Sequence, residues 1–126
     1  MRAADTNVLV RLVTRDDAKQ LARAEAFVDK GAWVSHLVLA EATWVLVSVY
    51  DVGPARIASM VEMLLDHDKL TLQDPDAVAA ALVQYRRRPA AGFSDCLILE
   101  IARKAGHVPL GTFDKKLGSF VGAERL

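Results

Sequence analysis

Hydrophobic and polar positions along the chain switch between two rhythms. Short, mostly apolar runs alternate with longer stretches whose apolar residues recur every three or four positions, as in helices packed by one face. In Asp17–Lys30, Leu21, Ala24, Phe27 and Val28 share a side, Lys19, Arg23 and Glu25 lie elsewhere, and Gly31 follows as a C-cap would. From Pro54, suited to a first helical turn, to His67, the residues Ile57, Val61, Leu64 and Leu65 face inward. Asp74-Pro75-Asp76 starts a helix that runs to Arg86-Arg87-Arg88. It stops before Pro89, because a residue preceding proline is driven out of the helical region. Ser94–Lys104 is a further helix, closed by Gly106. Arg2–Asp5, Ala32–Ser35, Leu70–Leu72 and Val108–Gly111 read as strands. Thr6–Thr14 follows the first, Pro89–Gly92 is a loop, and a helical turn near Asp114–Leu117 precedes a weak terminal strand.

This alternation predicts an α/β fold with a mostly parallel sheet of four to five strands, flanked by helices. With 126 residues and no repeat or linker, the expectation is one domain over 1–126. In such sheets ligands bind beyond the carboxyl ends of the strands. Asp5 follows the first strand and Asp114 the fourth, while Glu41 lies on the helix after the second. Asp95 opens the helix before the fourth.

Glu41 is the most conspicuous of these acids. It is the only charged residue between His36 and Tyr50, and its helical neighbours are Leu37, Val38, Trp44 and Val45. A carboxylate buried on so apolar a face needs a partner, a metal or a raised pKa. The structural reading of Glu41 is an acid at a kinked or exposed patch, and the other three have structural readings as well. Asp5 or Thr6 could cap a helix, Asp95 suits the positive end of a helix dipole, and Asp114 could cap the turn after Phe113.

Composition changes the picture in three ways. Hydrophobic residues make up 52% of the chain and mean hydropathy is +0.19, so an interface with a second subunit or partner is expected. Sixteen basic and sixteen acidic residues cancel, so any nucleic acid must be held by local basic patches. The single cysteine, Cys96, excludes an intramolecular disulfide and reads as an inert core thiol. No secretory signal or apolar run of about 20 residues is seen, which suggests a cytoplasmic protein.

Four segments, taken together and in order, resemble PIN-domain ribonucleases, specifically the VapC toxins of toxin–antitoxin pairs. They are Asp5-Thr6-Asn7-Val-Leu-Val-Arg, Leu39-Ala-Glu41, Phe93-Ser-Asp95-Cys-Leu-Ile-Leu-Glu-Ile-Ala-Arg and Gly111-Thr112-Phe113-Asp114-Lys115. The resemblance implies a PIN-like three-layer fold with Asp5, Glu41, Asp95 and Asp114 as a catalytic quartet, supported by Thr112 and by Asn7 or Thr6. It also implies a homodimer and a VapB-type antitoxin laid near the active site. The thin strand character of Arg2-Ala-Ala departs from the family, which often has bulkier residues there.

The chemistry fits the residue types. Clustered carboxylates repel, by about 1 kcal/mol per pair at 4 Å in water and about 4 at an effective dielectric of 20. A hard divalent cation relieves this, and an all-oxygen site suits Mg²⁺ or Mn²⁺. Such an ion activates water for hydrolysis of an RNA phosphodiester. Asp5 and Asp95 are the expected direct ligands, with Glu41 and Asp114 bound directly or through water. Lys115 and Lys116, then Arg86, Arg87 and Arg88, and Arg103 with Lys104, are candidates for phosphate contacts with the RNA, tRNA among the possible targets. Those cations could equally form a solvated face. Trp33 and Trp44 read as core or interface residues, and His36, His67 and His107 as surface or capping residues. A phospho-receiver domain is a rival, but it needs paired acids after its first strand, where only Asp5 stands. A non-catalytic PIN scaffold is the other.

Overall fold

Side-chain caps set several helix starts in the computed structural model, which describes every residue from Met1 to Leu126. The chain divides into two compact units, Met1–Pro75 and Asp76–Leu126. The first contains β1 (Arg2–Ala3), α1 (Thr6–Thr14), α2 (Ala18–Asp29), β2 (Ala32–Val34), α3 (His36–Ser48), α4 (Pro54–Asp66) and β3 (Leu70–Leu72). Asp17 accepts a hydrogen bond from the Gln20 backbone N–H at 3.0 Å, and Ser35 one from Val38 at 3.1 Å. Both are ordinary N-caps reaching the third helical residue. Gly31 follows α2 at φ +85°, a left-handed conformation that favours a residue without a Cβ.

Three parallel strands form the sheet of this unit in the order β1-β2-β3. Ala32 pairs with Leu70 and Val34 with Leu72, and all four are buried, whereas Trp33 and Thr71 on the other face are exposed. That alternation follows from the twofold repeat of a strand. α1 packs on α2 and α3, and α4 on β3, around a core that includes Leu9, Leu39, Leu46, Ile57, Val61 and Leu64. Each such side chain contributes about 1.5–3 kcal/mol by leaving water.

The apolar helix α3 departs from expectation. Only the stripe Leu39, Ala42, Thr43 and Leu46 is buried. Leu37 is 76% exposed, Trp44 62% and Val47 49%, and Glu41 between them is exposed too. A helix buries the face its neighbours reach, so here apolar composition did not decide burial. Glu41 is therefore not a buried charge, and Trp44 is not a core residue.

The second unit holds α5 (Pro75–Arg87, starting at the boundary), a 3-10 turn at Pro89–Ala91, α6 (Phe93–Lys104), β4 (Leu110–Thr112), a 3-10 turn at Leu117–Ser119 and β5 (Ala123–Arg125). β4 and β5 form a parallel pair in which Leu110 matches Ala123 and Thr112 matches Arg125. Its buried residues include Val78, Ala81, Cys96, Leu97 and Leu99, with Tyr85 and Phe93 edge-to-face at 5.9 Å. The fourth strand starts at Leu110 rather than Val108. Pro109 has no N–H to give a ladder, and the first ladder bond is Leu110 N–H to Gly122 O at 2.8 Å. The segment Pro89–Gly92, expected as a loop, contains a 3-10 turn, and the expected turn near Asp114–Leu117 forms slightly later. Five strands are thus present, and within each unit every strand pair is parallel, in sheets of three and of two strands.

Candidate functional site

In the first unit, the chain leaves β1 at Ala4 and turns into α1 through Asp5. The Asp5 backbone is extended (φ −88°, ψ 168°), and its Oδ1 accepts from the adjacent Thr6 N–H at 2.7 Å. This differs from Asp17 and Ser35, whose oxygens reach the third residue of their helices. Asp5 caps its helix only at the first N–H and remains exposed beyond the strand end. The capping explanation for this acid is therefore incomplete.

Thr6 beside it is 94% buried by its 6% residual exposure, yet its hydroxyl has no hydrogen-bond partner. His36, which opens α3 after β2, likewise has an unpartnered buried Nε2. Orphaned buried polar atoms are uncommon and cost about 1–3 kcal/mol each. Two of them follow the carboxyl ends of β1 and β2, so this end of the sheet carries unused polar capacity. His67, by contrast, behaves as the sequence suggests, its Nδ1 accepting from the Lys69 N–H at 3.1 Å. Asn7 is exposed on α1, and Glu41 is exposed on α3.

In the second unit, α6 carries Asp95 in its first turn and a second 3-10 turn follows Asp114. Burial, and after it the charge of Asp114, push the Asp95 carboxyl above its ordinary range. Neither acid is in an ion pair with a cation of the chain. Asp114 is fixed in place: its Oδ1 accepts from Leu117 N–H at 2.8 Å, and its own N–H donates to Thr112 Oγ1 at 3.0 Å. Thr112 thus supports the Asp114 backbone.

A third acid of this unit was not singled out by sequence reasoning. Glu100 on α6 is 6% exposed. It accepts from Gln84 Nε2 and from Arg103 Nε, both at 3.2 Å. Arg103 also donates to the Val121 carbonyl at 2.6 Å, so it is committed to structure rather than free for phosphate. The signal in the sequence was only the i,i+3 spacing of Glu100 and Arg103, which many exposed pairs share. Cys96 is fully buried, and burial with the nearby Asp95 and Glu100 charges pushes its thiol up to about 11, so it is inert at neutral pH.

Among the other cations, Arg88 is tied to Ser119 Oγ at 2.6 Å and lies 5.1 Å from the Phe120 ring centroid. Arg86, Arg87, Lys115 and Lys116 are exposed. Lys104 stands 4.0 Å from Asp76.

Whether these residues fit a divalent cation can be judged from the donors. The Asp95–Asp114 pair offers two like-charged carboxylates without a counter-cation, and Asp5 offers a carboxylate beside an unused hydroxyl; both are hard oxygen donors that suit Mg²⁺ or Mn²⁺. Neither unit by itself gathers three or more His, Cys, Asp or Glu side chains around one point. No helix is long and apolar enough to cross a membrane.

Neither a search of curated proteins nor one of solved structures found a match. A scan against protein families matches the PIN domain over residues 3–121, which takes in Asp5, Glu41, Asp95 and Asp114. With nearly its whole length matched and α/β units whose sheets are parallel, the chain belongs to the PIN-domain family, whose members are commonly nucleases.

Proposed function

We propose that the chain, as a single PIN domain over 1–126, is a metal-dependent endoribonuclease. In this reading it is the cytoplasmic VapC-type toxin of a toxin–antitoxin pair, with Asp5, Glu41, Asp95 and Asp114 as its catalytic carboxylates. The observation that carries the reading is the Asp95–Asp114 pair, in which the charge of Asp114 bears on Asp95 and neither acid is in an ion pair with a cation of the chain. Such a pair is unfavourable in a purely structural role and useful where a hard cation must be bound.

Asp5 and Asp95 would hold Mg²⁺ or Mn²⁺ directly, and Glu41 and Asp114 directly or through water. When bound, the ion would supply a Lewis acid for the phosphate and lower the pKa of the attacking water. The chain's own residues do the rest. Thr112 and the Leu117 N–H fix Asp114, so its free oxygen keeps one direction. The half-buried setting of Asp95 and the charge of Asp114 raise its carboxyl above the ordinary range, a strain that a bound cation would relieve. Thr6 and Asn7 support Asp5, and Lys115 and Lys116 adjoin Asp114, where they meet the RNA backbone.

The exposed Leu37, Trp44 and Val47 of α3 support a covered surface, either in a homodimer or beneath an antitoxin. A second reading, a PIN-fold protein that binds a partner without catalysis, draws support from the lack of a three-ligand group within either unit.

The test is to incubate protein freed of any co-purifying partner with total RNA and short model RNAs, comparing Mg²⁺ or Mn²⁺ with EDTA, and Asp5→Asn with wild type. Discrete metal-dependent cleavage, lost in the variant, is the expected result. Wild-type cleavage rates in a folded Asp5→Asn protein would sink the mechanism. Metal binding without turnover on any RNA, tRNAs tested singly, would favour the scaffold reading.

A further inference from the structure

The first unit has a groove between α1 and α2, with a volume of about 370 Å³. Its apolar lining comes from Val8, Ala24 and Phe27, and its charged lining from Arg11 and Arg23, with no carboxylate. The amides of Asn7 and Gln20 complete it. Neither arginine was a candidate for contacting nucleic acid on sequence grounds, because each reads as an isolated cation on the polar side of a helix.

The groove is partly built in advance. Arg11 donates to Gln20 Oε1, to the Tyr50 hydroxyl at 3.1 Å and to Asp16 at 3.2 Å, so its guanidinium is held in one place. Asp16 offsets some of its charge from the edge. Arg23 is exposed and has no partner within the chain. At the Phe27 end, the Arg2 guanidinium lies 3.9 Å over the aromatic ring and donates to the Phe27 carbonyl at 3.3 Å. Three cations therefore line or flank one groove, and Asn7 at the start of α1, two residues from Asp5, lies toward the same end as Phe27 at the close of the antiparallel α2.

We propose that this α1–α2 groove is the track for a single RNA strand approaching Asp5, with Arg23 as its principal phosphate contact. This deepens the ribonuclease reading and rests on it. The side chains match the three things a single strand presents. Arginines meet phosphates, planar amides meet base edges, and the apolar floor meets base faces. An acidic peptide would use the cations but leave the amides without a matching need. Arg11, already pinned, sets the strand's position, while Arg23 supplies the uncompensated charge.

The test is the affinity of a fluorescein-labelled, mixed-sequence single-stranded RNA, measured by anisotropy in EDTA across a salt series. Wild type, Arg23→Glu and Arg23→Lys are compared. The expected result is binding weakened about tenfold by Arg23→Glu at low salt, with the slope of log K against log salt falling by about 0.7. Arg23→Lys keeps the slope. The residue is exposed, so circular dichroism and Tm should not change. If wild type binds RNA and Arg23→Glu binds it equally well with the same slope, the groove is not the track, and the ribonuclease reading survives. If Arg23→Glu instead sheds a co-purifying protein while its RNA affinity is intact, the groove is a protein dock and the proposal fails. Weakened RNA binding in the variant, together with a wild type that never cleaves, upholds the groove and defeats the nuclease. A wild type that binds no RNA defeats both.

Discussion

Helix α6 carries two carboxylates that are shielded from water to different degrees and keep opposite company. Glu100 is almost wholly buried and meets Arg103 and Gln84, which satisfy it as structure requires. Asp95, five residues earlier, is half-buried and meets another acid instead. Sharing a helix and a unit, the two differ in shielding and, more tellingly, in their neighbours. An acid held by a cation explains its own presence, whereas an acid held beside an acid calls for something the chain does not itself supply.

The comparison breaks most visibly in catalysis. Asp95→Asn should lower metal-dependent RNA cleavage at least about 100-fold, comparable to losing one transition-state contact, while Tm does not fall. A Tm loss of several degrees would mean that Asp95 is a structural acid like Glu100. The converse change comes next in size. Arg103→Met leaves Glu100 buried without its cation, at a cost of about 2 kcal/mol. That is below the usual range for a broken buried pair because Arg103 is itself 36% exposed. A shift of the urea midpoint at constant slope would show it, and an unchanged midpoint would put Glu100 and Asp95 in the same class.

The smallest effect lies in pH. The folded-state pKa of Asp95 is raised, so its favourable contribution is complete below the unfolded carboxylate value of about 3.9 and is lost as pH rises through the folded value. Asp95→Asn should therefore gain slightly in Tm on wild type as pH rises above about 4, without metal. Saturating Mg²⁺ or Mn²⁺ should close or reverse that gap, since the ion stabilises only the protein that binds it. Thermal melts from pH 4 to 8, with and without metal, measure both.

Much of the fold was legible because it depends on local chemistry. Asp17 and Gly31 bracket α2, Pro54 starts α4, and strand alternation buries Leu70 and Leu72; each follows from a few adjacent residues. The α3 surface was not legible in this way. Its sequence has apolar residues all round, and which of them are buried depends on where α1 and α4 lie. The expectation that the apolar face around Glu41 is buried failed for that reason, although the four acidic segments pointed to the family that the match over 3–121 established. Glu100 was missed because its burial arises from Gln84 on another helix, which no local pattern announces.

The Arg103 guanidinium has a consequence for how this sequence can drift. It crosses so close to Gly122, at φ +92°, that a Cβ there would lie 2.8 Å from one of its nitrogens. Replacing the glycine requires both a strained backbone and a retreat of the arginine, and a retreat of the arginine strands Glu100. Positions 100, 103 and 122 are thus tied into one heritable unit: relatives should keep all three together, or exchange Glu100 for an apolar side chain and Arg103 for a short residue while the left-handed backbone still favours glycine at 122.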